Sequence, residues 1–137
     1  MPNGAGGGGG PVGVSNSFTG VAQALDLYGN FAAAYSGGVS VDNNETTLVE
    51  FTSGNFIFVG NWRADYFENA GDDVRWVLYF NDSKIQSISS NRNYEAGKEG
   101  PVDIVIPPYT QVKITAQNIT DTSTLELMTS MMGAIYR

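Results

Sequence analysis

The segment Gln111–Asn118, QVKITAQN, alternates along its length. Val112, Ile114 and Ala116 fall on one side; Gln111, Lys113, Thr115 and Gln117 fall on the other. A period of two belongs to a strand with one dry face and one wet face. The same constraint recurs in VRWVLYF, where Val74, Trp76, Leu78 and Phe80 oppose Arg75, Val77 and Tyr79. In VDIVI, Val102, Ile104 and Ile106 share a face. No long amphipathic helix separates these runs, which argues against a parallel α/β sheet.

Turn chemistry divides the rest. VSVDNNETTLVEF reads as strand, turn and strand, because Asp42, Asn43 and Asn44 bond nearby backbone and tolerate left-handed dihedrals. TSGN leads into FIFVGNWRADY, rich in aromatic and β-branched residues. NDS turns VRWVLYF into KIQSIS, PPYT breaks the ladder after VDIVI, and TLELMTSMMGAIYR closes the chain as a strand with a bend expected at Gly133. FENAGDD and SNRNYEAGKEGP read as loops. This makes about eight short strands with turns every 8–12 residues or so, the pattern of an all-β antiparallel sandwich. The domain is expected over 38–137, with Val74, Trp76, Leu78, Val102, Ile104, Ile106, Val112 and Ile114 in its core.

Residues 1–37 read differently, as an extended N-terminal arm and connector. Seven of the 17 glycines lie in MPNGAGGGGGPVGV. Glycine loses the most backbone entropy on ordering, and this run has almost no side chain to bury. Such an arm is expected to order only against neighbouring chains that supply hydrogen bonds and cover it. Val21, Leu25 and Tyr28 recur at helical spacing, so a short helix at most is expected between Val21 and Leu27.

The chain has no cysteine and no histidine, which excludes disulfides, thiolate zinc sites and His-based triads. A net charge of −7, with the seven basic residues scattered, disfavours nucleic acid and anionic membranes as partners. No secretory-signal pattern opens the chain. Asp65, Glu68, Asp72 and Asp73 cluster in sequence but match no calcium-loop spacing, and read as a solvated acidic loop. The glycine run lacks the flanking strand, Lys-Ser/Thr and helix of a phosphate loop. The three sequons at Asn44, Asn81 and Asn118 coincide with turns and read as turn chemistry. No cofactor, metal or catalytic residue is expected.

Through VDIVIPPYTQVKITAQN, with VRWVLYFND before it and TLELMTSMMGAIYR after it, the chain resembles small jelly-roll proteins of viral capsids. Its nearest likeness is to the decoration, or cement, proteins of tailed bacteriophages. The shared features are a two-proline corner between alternating strands and a C-terminal strand. The resemblance implies a jelly-roll sandwich and a non-enzymatic role as a structural virion protein. It implies binding to the major capsid protein on the outer surface of the shell, production in a host cytoplasm, capsid stabilisation, and self-association as a trimer.

The residues expected to form the assembly interface are Pro11, Val12, Val14, Phe18, Val21, Leu25, Leu27, Tyr28 and Phe31 of the arm. Met128 and Met132 join them from the outward side of the last strand. Two alternatives compete: a glycan- or receptor-binding module of a phage fibre or baseplate, and a small hydrolase using paired carboxylates. Trp62, Tyr66, Trp76, Tyr79, Tyr94 and Tyr109 are the aromatics that could stack on sugar rings, and a glycan binder should expose Trp62 or Tyr94 in a groove. A cement protein should expose apolar surface that only an assembly covers.

Overall fold

The computed structural model describes residues 21–66, 73–90 and 101–137. Among them lie ten strands and no helix. In chain order they are β1 Asp26–Tyr28, β2 Phe31–Tyr35, β3 Val39–Val41, β4 Thr46–Thr52, β5 Ile57–Tyr66, β6 Val74–Phe80, β7 Ser83–Ser90, β8 Val102–Ile106, β9 Gln111–Asn118 and β10 Leu125–Tyr136. The first sheet runs β4-β9-β6-β7 and the second β1-β2-β10-β5-β8, with β3 also on β10. Every strand pair in the two ladders is antiparallel.

From β3 onward the pairing is that of one long hairpin rolled on itself. β3 joins β10, β4 joins β9, β5 joins β8 and β6 joins β7. The contacts β10–β5 and β9–β6 then close each half into a sheet. This is the jelly-roll order, two Greek keys in two facing sheets. The tip of the hairpin is Asn81-Asp82, with φ of 50° and 67° between paired Phe80 and Ser83. Two positive φ values in a two-residue loop define a type I′ turn, whose twist suits the flanking strands.

The core lies between the sheets. Val74, Trp76, Leu78, Ile104, Ile106, Val112 and Ile114 are buried as their alternation requires, while Val102 is half-buried at the margin. Trp62, Phe58, Leu127 and Met131 join them from the second sheet. At the centre of that sheet Gly60 and Gly133 are direct partners, and a Cβ on either would run into the opposite backbone. Despite the glycine, β10 is one continuous strand of 12 residues.

The sheets begin earlier in the chain than Gly38. Phe31–Tyr35 pairs with Ala134–Ser130, and Asp26–Tyr28 folds back on it as a hairpin turning at Gly29, φ 63°. The short helix expected between Val21 and Leu27 is therefore replaced by strand. Its helical spacing is overridden by the hairpin with β2, which is itself held on β10. Ala22 instead bridges in parallel to Val49, donating to the Leu48 carbonyl and accepting from the Glu50 amide, both at 2.9 Å.

Candidate functional site: an apolar outer face

Each sheet also has an outer face, and the two differ. On the first sheet this face is mainly polar, with Val77 and the half-exposed Ile85 as its apolar members. The Glu45 carboxylate accepts hydrogen bonds from the Thr115 hydroxyl at 2.6 Å and from the Tyr79 hydroxyl. These bonds, Thr115 first, hold Glu45 below its ordinary pKa, with Lys113 and Lys84 adding to the effect. The Glu45 bond raises Tyr79 in turn. Lys113 lies over the Tyr79 ring, 4.9 Å from its centroid, and 3.9 Å from Asp82.

The second sheet presents the opposite. Directly paired residues point to the same side of a sheet. The registers Tyr28–Phe31, Phe31–Ala134, Ala134–Val59 and Val59–Val105 therefore draw one row across β1, β2, β10, β5 and β8. All five residues are apolar or aromatic, and they lie outward. Tyr28 is 63% exposed, Phe31 45%, Val59 42% and Val105 55%. Tyr136 pairs with Ile57 beside this row, and both are exposed. On the other side Met132 stands between Ala33 and Asn61, with Asp26 and Asp103 at the row's ends. Beyond it come Tyr35, Ser130 and Arg63. The face is thus an apolar band with charge at its margins.

The nominated interface residues divide accordingly. Tyr28, Phe31 and Met132 meet in this band. Met128 lies on the same face but beyond Ser130, away from it. Leu27 pairs with the buried Ala32 and so points the other way, while Leu25 packs against the core. Val21 neighbours the bridge on β4, at the other sheet's edge. Pro11, Val12, Val14 and Phe18 lie outside the described residues, as does the glycine run.

Ile57, Val59, Val105, Tyr136 and Tyr35 belong to the band and were not singled out from the sequence. Their signal was present: FIFVG and VDIVI are apolar at positions of both parities, which marks strands covered on two faces.

The glycan-stacking candidates fare differently. Trp62 and Trp76 are fully buried, and the Trp62 indole N–H donates to the Thr129 hydroxyl at 2.7 Å. Tyr79 is half-buried and tied to Glu45. Tyr109 is exposed, at φ 52° after the prolines. Tyr94 and the Tyr66 side chain lie outside the described residues. A shallow depression of about 440 Å³ on the polar face is lined by Arg75, Val77, Lys84, Ile85, Gln86 and Ser87, with no aromatic ring for a sugar to stack on.

Among the described residues no group of three or more acidic side chains gathers to hold a metal ion. Glu68, Asp72 and the Asp65 side chain lie outside them. Of the sequon residues, Asn44 and Asn81 are exposed, whereas Asn118 is buried and organises its turn. It accepts from the Thr120 amide at 2.9 Å and donates to the Ser123 carbonyl at 2.9 Å.

No family model, curated protein or solved structure matches this chain.

Proposed function

We propose that this protein is a structural component of a virion, a decoration protein that attaches to the outer surface of a viral capsid and stabilises the shell. In this reading its partners are the major capsid protein and further copies of itself.

The observation that carries the reading is the contrast between the two outer faces. A sandwich with one hydrogen-bonded polar face and one apolar face is built to be covered on one side. A jelly roll that exposes a row of aromatic and aliphatic side chains across five strands gains stability when a protein surface covers it. The sequence resemblance through the two-proline corner supplies the kind of assembly. The glycine-rich arm supplies a segment suited to narrow grooves between subunits, because glycine lets two backbones approach closely.

The test is immunogold labelling of tailed-phage particles that carry the gene, with antibody raised against this chain. Label over the shell supports the reading. Label confined to the fibre or baseplate moves the protein to the receptor-binding class. Unlabelled particles overturn both. Particles lacking the protein should also release their genome at a lower temperature than complete ones.

A further inference from the structure

The apolar band on the second sheet has a definite extent. We infer that its occupant is a second copy of this chain, and that the face is the self-association surface of the protein. The inference rests on the assembly reading only for its biological setting; the contact itself is argued from the face.

Area is the first argument. The exposures of Tyr28, Phe31, Val59, Val105, Ile57 and Tyr136, with Met132, Ala134 and Tyr35 beside them, amount to on the order of 700 Å². The largest apolar patch on an ordinary monomer covers roughly 300–600 Å². A stable protein–protein contact takes about 800 Å² from each partner. The band, tyrosine hydroxyls included, lies at the upper end of the first range and approaches the second figure.

Composition is the second. The centre of the band holds Tyr, Phe, Val, Ile, Ala and Met, and Asp26, Asp103 and Arg63 stand at its edges. Homo-oligomer interfaces show this depletion of charge at the centre and polar rim. An anionic lipid surface would meet Asp26 and Asp103 in a chain of net charge −7, which is unfavourable.

Shape is the third. The band is the face of a twisted antiparallel sheet. All sheets twist with the same hand, so two copies of one face fit each other as two sheets of a sandwich do. The aromatic Tyr28 and Phe31 stand over β1 and β2 and the branched Val59 and Val105 over β5 and β8, with the smaller Ala134 at the middle of the row. A copy meeting it can seat side chains over Ala134.

Sedimentation equilibrium on the full-length protein over a wide concentration range tests this. The wild type should sediment as a dimer, the closure of one face on its own copy. Val59→Lys and, separately, Val105→Lys should each weaken self-association by about tenfold or more while keeping the β-sheet circular dichroism and the urea midpoint of the folded chain. Both positions are exposed, so lysine fits on the single chain. Lys84→Ser, on the polar face, should leave the mass unchanged. A wild type that stays monomeric at high concentration overturns the inference, and so does an oligomer that both lysine variants leave intact. Shell labelling is a separate readout. Labelled shells with a monomeric protein would sink this inference alone; an oligomer sensitive to V59K without shell label would sink only the decoration reading.

Discussion

The hydroxyl of Thr129 lies 2.7 Å from the indole nitrogen of Trp62, and both residues are shut away from water. That hydroxyl accepts the indole N–H and donates onward to the Arg63 carbonyl at 2.5 Å. The Thr129 amide meanwhile donates to the Ser36 hydroxyl at 2.9 Å, and the Ser36 amide returns a bond to the Thr129 carbonyl at 3.0 Å. One residue of β10 thereby fastens β5 on one side and the β2–β3 junction on the other.

Thr129→Val keeps the volume and removes the acceptor. A buried indole N–H left without a partner costs about 1–3 kcal/mol. The urea midpoint should fall accordingly, with the slope of the transition unchanged. Thr129→Ser should recover most of the loss. An unshifted midpoint for T129V would show that the bond contributes nothing net.

Gly133→Ala places a methyl group where the Gly60 backbone stands. The strands must part at the centre of the sheet, and overpacking of this kind costs about 1–3 kcal/mol or somewhat more. Gly60→Ala should behave alike. The double variant should cost less than the sum of the two, because one separation of the strands serves both. Thermal unfolding of the four proteins measures this; strict additivity would contradict the shared clash.

The Glu45 bonds make part of the stability depend on pH. Its pKa is lowered in the folded chain by Thr115 and then Tyr79, so the contribution is complete above the ordinary glutamate value of 4.5 and disappears as pH falls through the lowered one. Tyr79 is raised, so its share holds below the ordinary tyrosine value of 10.0 and fades above it. Glu45→Gln should therefore be less stable than wild type near neutrality. The gap should close in acid. A gap that is constant from neutral to acid pH would refute the assignment.

Asp82→Gly tests the hairpin tip. Asp82 holds φ 67°, where glycine has no steric penalty, and Asn-Gly is the preferred pair for this turn. The exposed contact with Lys113 at 3.9 Å is worth little. The net effect should be a gain of roughly 0.5 kcal/mol, after the extra unfolded-state entropy of glycine is subtracted. A loss in chemical denaturation would show that the aspartate does more than turn the chain.

Where one face of a strand is wet, the sequence was legible. QVKITAQN has a single reading, and Val112, Ile114 and Ala116 are all fully buried. VRWVLYF and the NDS turn are nearly as direct, although Val77 on the outer side is also buried and Phe80 is only half-buried. FAAAY was not legible, because three alanines carry no strand signal and Gly29 and Ser36-Gly37-Gly38 frame them as a connector. Its strand exists through the ladder with β10, a partner about a hundred residues away that no local pattern names. The candidate face failed to appear for the same reason. Val59, Val105 and Ala134 are unremarkable one by one, and only the registers of β5, β8 and β10 put them in line. Met132 was found because its parity opposes that of Met131, a comparison made within one strand.

The rolled hairpin also sets an order of events during synthesis. β5 leaves the ribosome early, but β10, which pairs with it along ten residues, follows only after some sixty more have been added. Until then β5 has an open edge, and Phe58 and Trp62 lack their β10 partners Ile135 and Met131. Contacts this distant in sequence make folding slow, and exposed strand edges during that interval invite pairing with the wrong chain. The nascent protein is therefore most vulnerable to aggregation before the twelve residues of β10 emerge, and slower elongation over residues 67–124 lengthens that exposure.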